Sequence, residues 1–402
     1  MSDLLIIILL GITLGLSMPI LVFFLECILA FFTPLSNQLS KSQNLQPKVT
    51  VLIPAHNEEL GIIATIEPLL PQLKTNDKIV VIADNCTDKT AEIARQTGVT
   101  VLERHSLDKR GKGYALDYGL KFLAENPPEV VVMVDADCRV EPGTIEQITQ
   151  KAIATQRPVQ ALYLMEIPEQ PTPKDSISAL AFLVKNQVRP QGLERLNFPC
   201  ALTGTGMAFP WSIIRQVSVA SGNIVEDMQL GVDLAIAGHP PLYCPQGRVT
   251  GILPQQQQAA TKQRTRWEHG HLQTIQTQVP RLLKASLQQK RLDLFVMALD
   301  LFVPPLSLLV MLWLVLTTIA IIAGIFGLSW LPALFSAIAG GLMLIAILAA
   351  WAKYGRERIS GWTLLSVPFY ILWKIPLYFG FLVKREKEWV RTERDQVKVS
   401  SK

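Results

Sequence analysis

Val130-Val131-Val132-Met133-Val134-Asp135-Ala136-Asp137-Cys138 is the stretch on which the reading of the fold turns. Five consecutive apolar residues without alternation suit a strand buried on both faces, at the centre of a parallel sheet. Two carboxylates follow, two positions apart, and in extended backbone such side chains lie on the same side. They repel each other unless something cationic sits between them. A hard divalent ion that keeps phosphate oxygens among its ligands is the natural occupant. A plain turn is the alternative, since Asp is common in turns. The position at a strand end gives the pair its weight, because open α/β sheets bind ligands beyond the carboxyl ends of their strands.

Strand and helix signals alternate on both sides of this segment. Val49–Ile53 reads as a strand stopped by Pro54, 58–73 as a helix and 78–83 as a second strand that ends at Asp84. A helix capped by Thr87 or Asp88 runs to Gln96, 99–102 is a third strand, and 114–123 is helical. Such alternation implies βαβ units and a sheet covered on both faces. Beyond Pro142 helices fit 144–154, 176–188 and 227–237, and a strand fits 158–165. A long polar helix starts near Gln255 and contains Gln263–Trp267.

The chain has 402 residues, 49% apolar and only 18% charged, below the roughly 25% charged residues of an average soluble protein. The apolar excess sits at the ends. Residues 4–32 carry one charge, Glu26, and 301–352 carry none. About 20 apolar residues cross a bilayer, so the first stretch reads as one span and the second as two. The first lacks a basic flank and is too long for a cleaved signal peptide. The net charge of +5 is modest, and its basic clusters at 353–358 and 384–394 flank apolar segments. That pattern points to a cytoplasmic membrane surface rather than nucleic acid. Five scattered cysteines show no metal spacing and suit a reducing compartment.

The expected organisation is therefore an amino-terminal transmembrane helix (1–34), a linker (35–47), a cytoplasmic catalytic domain (48–275), an interfacial helix (276–300), two transmembrane helices (301–352) and a membrane-associated carboxy-terminal segment with a basic tail (353–402). The last segment is interrupted by Pro368, Lys374 and Pro376. A full crossing there would also put Lys384, Arg385, Lys387, Arg391 and Arg394 outside. The charge rule therefore favours an interfacial or re-entrant helix over a fourth span.

Other polar clusters are individually weak. Pro54-Ala55-His56-Asn57-Glu58-Glu59 follows the first strand and reads on its own as a helix start. Arg110-Gly111-Lys112-Gly113 opens a helix, where anions are favoured, yet lacks phosphate-loop spacing; a solvated basic turn fits as well. Glu226-Asp227 starts another helix, where capping alone accounts for Glu226. Gln263-Arg264-Thr265-Arg266-Trp267 puts two cations and a large aromatic on one helix just before the membrane, where snorkelling Arg and interfacial Trp are also common.

Taken in order, VTVLIPAHNEE, VVIADNCTDKT, RGKGYAL, VDADC, GTGMAF, VEDMQLG and QRTRWEHG resemble the family-2 glycosyltransferases. The likeness is to the membrane branch of cellulose, chitin and hyaluronan synthases and ceramide glucosyltransferases, and it covers about 48–271. The resemblance implies an α/β fold of the glycosyltransferase-A type with a mostly parallel sheet, flanked by transmembrane helices. It also implies an inverting hexosyltransferase that uses a nucleotide-diphosphate sugar, usually UDP-linked, with Mg2+ or Mn2+.

Carried over by motif, Ala55, Glu58 and Asp84 would form the uracil pocket, and Lys112 would lie near the donor. Asp135 would face the sugar and ribose, and Asp137 would ligate the metal. Asp227 would be the general base. Gln263, Arg266 and Trp267 would close the site, Arg266 on the pyrophosphate and Trp267 on the acceptor. Gly204-Thr205-Gly206 would be the acceptor-side loop. The usual Asp-Asp pair reads Ala83-Asp84 here, and the family's Phe-Phe-Cys-Gly is replaced by Phe198-Pro199-Cys200 and Leu202–Gly206. The acceptor is then a growing polysaccharide or, alternatively, a single lipid. Three or four spans make a narrow channel, so a polymerising enzyme would draw on an oligomer or an export partner. A transporter would need repeated spans and mid-membrane polar residues, which 301–352 lacks.

Overall fold

A computed structural model of the chain describes residues 2–32, 46–168, 171–221, 225–252 and 257–383. The expected linker and the basic tail beyond 383 lie outside the described residues. Eight strands form one sheet: β1 (Val49–Ala55), β2 (Lys78–Asp84), β3 (Thr100–Arg104), β4 (Val130–Met133), β5 (Cys138–Val140), β6 (Val159–Glu166), β7 (Met207–Pro210) and β8 (Leu242–Ile252). Their order is β3-β2-β1-β4-β7-β6-β8-β5. The first four are parallel, with Val51 opposite Ile79 on one side and Val132 on the other. Beyond β4 the sheet is mixed: β7 runs antiparallel to β4 and β6, β6 is parallel to β8, and β5 is antiparallel to β8. Only β5 and β7 oppose the common direction of the other strands, so the sheet is mostly parallel, as expected from the sequence.

The uniform apolar runs are explained by burial on both faces. Val51, Ile53, Val81, Val130 and Val132 pack with Ile62, Ile66, Ile145 and Ile148 on one side. Leu52, Val80, Ile82, Val131 and Met133 pack with Leu116 and Leu123 of the helix Lys112–Leu123 on the other. Gly119 lets that helix close on the sheet, since a Cβ there would lie 3.1 Å from Ile82 and 3.2 Å from Leu52.

Two expected helices differ. The one read over 58–73 shrinks to Ile62–Ile66 and a 3-10 turn Leu70–Gln72. Pro68 lacks a backbone donor and, with Pro71, ends regular helix there. The single interfacial helix read over 276–300 is instead the end of Gln257–Gln289 and a separate helix Leu292–Phe302. The break is at Lys290, whose φ is +54°.

Among the described residues, three helices are long and apolar enough to cross a membrane: Asp3–Leu29, Leu306–Ile325 and Leu331–Gly355. They pack directly. Trp313 lies over Gly340, where a Cβ would stand 2.1 Å from its ring. Ile20, Phe23 and Cys27 share a buried cluster with Met343, Ala346 and Ala350. Lys353 and Tyr354 both donate to the Ala30 carbonyl at the end of the first helix, at 3.2 and 2.8 Å. The segment before the tail is a 3-10 turn, Gly361–Ser366, and a 17-residue helix, Val367–Val383. That helix packs on the long polar helix: Leu377 O meets His269 Nε2 at 3.0 Å, and buried Lys374 pairs with Glu268.

Candidate active site

The chain reverses direction across the sheet between β1 and β4, with β2 and β3 on one side and β7 on the other. Ligands of open α/β sheets bind at such a switch point, beyond the strand ends. There β4 ends in Asp135-Ala136-Asp137, and the backbone N–H of Asp135 donates to Thr205 Oγ1 at 3.1 Å. Lys112, first residue of its helix, donates to Asp135 Oδ1 at 2.5 Å and to Gly204 O at 2.6 Å, with Glu226 Oε1 at 4.0 Å. Gly204 has φ +94°, and a Cβ there would lie 3.3 Å from both Asp227 Oδ2 and Lys112 Nζ. Only a glycine loop allows this approach.

Charge is concentrated here. Burial works against the Lys112 ammonium, but Asp135 and Glu226 outweigh it and raise its pKa. Burial pushes Asp135 and Asp227 up despite Lys112, and lifts Glu226 to about 7. Ligand atoms of Asp135, Asp137 and Cys138 lie within 4.8 Å of one another. Two carboxylates beside two more, with one lysine among them, form a hard-oxygen, negatively charged set that fits Mg2+ or Mn2+. Burial pushes the Cys138 thiol well up, so it would not be a thiolate ligand.

These groups line one end of a cavity of about 240 Å³. Gln263, Arg266 and Trp267 reach it from the long helix Gln257–Gln289. Trp267 packs on Phe182, ring centroids 5.6 Å apart, and Phe182 on Tyr163 at 5.2 Å. Arg264 is tied back to Asp175 at 2.9 Å and Ser178 at 3.1 Å, whereas Arg266 has no hydrogen-bond or ion-pair partner among the described residues. The lining also includes Phe23, Val303–Leu306 and Tyr370, from the apolar helices and their connections.

Of the residues singled out in the sequence, Lys112, Asp135, Asp137, Gly204, Asp227, Gln263, Arg266 and Trp267 meet in this cavity. Ala55, Glu58, Asp84, Thr205 and Gly206 are not part of its lining. Thr205 is fully buried behind the wall, holding Asp135 and accepting from Gln160 through its carbonyl at 2.9 Å. Gly206 makes room for Val249, which would be 2.7 Å from a Cβ. These two shape the loop rather than face an acceptor. Asp84 sits at the end of β2, buried and paired with Arg104 of β3. Arg104 escaped the sequence reading because only the β2–β3 register brings it beside Asp84. Glu226, read as a cap, also lines the cavity. So do Lys185 and Asn186, which open the polar run Lys185-Asn186-Gln187 after the apolar Ala179–Val184.

Residues 47–270, more than half the chain, match the family described as glycosyltransferase-like family 2. The chain belongs to that family. Over 263 residues the family member is 25% identical to the probable glycosyltransferase YdaM of Bacillus subtilis, covering 62% of this chain and 61% of the relative. Over 102 residues it is 36% identical to the low-salt glycan biosynthesis hexosyltransferase Agl6 of Haloferax volcanii, covering 25% and 23%. The chain therefore spans less than two thirds of these relatives. In fold it is similar to the mannosyltransferase PcManGT of Pyrobaculum calidifontis, solved with GDP-Man and Mn2+. That match has a TM-score of 0.56 at 18% identity over 96% of this chain and 100% of the other.

Proposed function

We propose that this family-2 glycosyltransferase moves a single sugar from a nucleotide-diphosphate sugar, UDP-linked as the sequence resemblance implies, to a hydroxyl of a membrane lipid. The observation that carries the lipid reading is the cavity, which runs from the Asp135–Asp137 pair to Phe23, Leu306 and Tyr370 at the apolar helices. A lipid headgroup entering from the bilayer would meet the acid cluster with its chains still among apolar side chains. The close packing of Trp313 on Gly340, and the burial of Phe23 and Ala346 in one apolar cluster, favour this reading over a polysaccharide threaded between the spans.

Within this reading Asp227 takes the proton of the attacking hydroxyl. Its burial keeps that proton affinity above that of a solvated aspartate, against the opposing pull of Lys112. Arg266 faces the departing diphosphate, whose charge grows as the glycosidic bond breaks. Asp137 and Asp135 would hold Mg2+ or Mn2+, which would supply further neutralisation of the diphosphate. Inversion needs one base and a good leaving group, not the paired carboxylates of a glycosidase. The donor pool requires the catalytic domain to face the cytoplasm of a multi-pass membrane protein.

The test is product analysis. The purified full chain, with Mn2+, membrane lipids and a panel of labelled UDP- and GDP-sugars, should place label in the organic phase on a lipid enlarged by one hexose. Label in a water-soluble polymer would overturn the lipid reading in favour of a polysaccharide.

A further inference from the structure

Between Asp227 and the membrane helices the cavity wall is a single π-helical turn, Val184–Val188, inserted between the helices Pro173–Leu183 and Arg189–Arg195. Such turns cost hydrogen-bond geometry and recur at functional sites. This one turns two polar side chains into the cavity, Lys185 and Asn186. Lys185 lies close enough to Asp227, Arg189 and Asp300 for their charges to act on it. Yet it makes no hydrogen bond or ion pair among the described residues. The nearby Asp300 carboxylate is already engaged by Arg189 at 2.7 Å, and Arg189 also holds Glu26 at 2.5 Å. Burial lowers the Lys185 pKa, the mark of a cation short of compensation. Asn186 is 4% exposed, and its Oδ1 has no hydrogen-bond partner. Across the cavity the buried Thr203 hydroxyl has none either.

A half-buried, unpaired ammonium beside a lone amide oxygen and a hydroxyl is a poor piece of core and a good anion site with hydroxyl contacts. None of the donor-side residues is needed to explain it. Resting on the lipid reading above, we infer that Lys185, Asn186 and Thr203 form an acceptor subsite for an anionic, hydroxyl-bearing lipid headgroup, of the phosphate class. The ammonium pairs with the phosphate, Asn186 accepts from a headgroup hydroxyl, and the acyl chains leave past Phe23 and Leu306.

The full chain in detergent is titrated calorimetrically with dihexanoyl phosphatidate, dihexanoylglycerol and inorganic phosphate, and separately with UDP and Mn2+. A charge-assisted contact predicts that phosphatidate binds about tenfold more tightly than either control. Lys185→Met should abolish that preference, Lys185→Arg should keep most of it, and UDP binding should be alike in all three proteins. Removing a partnerless, half-buried cation should also raise the thermal midpoint of Lys185→Met without ligand. A lower midpoint would mean that the ammonium serves the fold, and would overturn the subsite. Equal binding of dihexanoylglycerol would do the same, as would inorganic phosphate binding as tightly as phosphatidate. Loss of UDP binding in Lys185→Met would assign the cation to the donor. A shift of only the acid limb of the rate profile, with acceptor KM unchanged, would make Lys185 a partner of Asp227 alone. The lipid reading fails separately, on a polymeric product; a preference for neutral lipid leaves it standing.

Discussion

At the scale of single residues the site is a problem of unbalanced charge. Asp135, Asp137, Glu226 and Asp227 line a cavity into which Lys112 projects among them. Asp227→Asn keeps the shape and loses the proton acceptor, so transfer should fall roughly 10²–10⁴-fold while UDP binding is retained. Near-normal turnover in a radiolabel assay would remove Asp227 from the role of base. The base must be ionised to act, and burial raises its pKa. The rate should therefore rise with pH, and the acid limb of kcat/KM should lie above the ordinary aspartate value of about 4. Lys112 opposes that rise, so Lys112→Met should move the limb to still higher pH. Asp137→Ala should lose metal-dependent UDP binding, Asp135→Ala should weaken it less, and chelator should silence the wild type until Mn2+ is restored. Undiminished activity in chelator would reduce the Asp-x-Asp to a turn.

At the scale of elements, legibility followed burial. β1, β2 and β4 could be read because both faces of each are covered, which makes their apolar runs continuous. β5 is three residues long, and β7 interrupts a glycine loop, so neither shows a period of its own. The helix misread over 58–73 had the right spacing, but Pro68 and Pro71 decide against it. The donor motifs were recognisable as a set. The Val184–Val188 turn was not, because a one-residue widening leaves an apolar helix looking regular in sequence while re-aiming Lys185. Where elements meet, Arg189 joins the catalytic domain to the first apolar helix through Glu26 and to Leu292–Phe302 through Asp300. Taking one partner from a buried ion cluster costs about 3–5 kcal/mol. Arg189→Ala should accordingly lower the thermal midpoint markedly in a fluorescence melt. Gly192→Ala should do likewise, since its Cβ would stand 1.9 Å from the Glu26 carbonyl. An unchanged midpoint in both would mean that this junction is not structural.

For the whole molecule the open question is which side of the bilayer each surface faces. The two helices Leu306–Ile325 and Leu331–Ala350 are joined by a short turn that carries Phe326, 82% exposed. Leu107, 80% exposed, lies on the catalytic domain. In a cysteine-free background, a cysteine at 326 should react with an impermeant maleimide added to intact cells. One at 107 should react only after permeabilisation. The opposite pattern would reverse the proposed orientation and, with it, access to cytoplasmic sugar nucleotides.

The Arg189 junction also sets an order of manufacture. Glu26 is made first, Arg189 follows, and Asp300 emerges 111 residues later than Arg189. At about 5–20 residues per second the ribosome needs roughly 6–22 s to close that gap. During this interval the nascent chain holds one carboxylate against its arginine and lacks the other. The cavity wall beside this junction is therefore completed only after strands β1–β8 have all emerged. A chain released before residue 300 would carry Arg189 with one of its two carboxylates missing, an unfinished junction open to quality-control proteases.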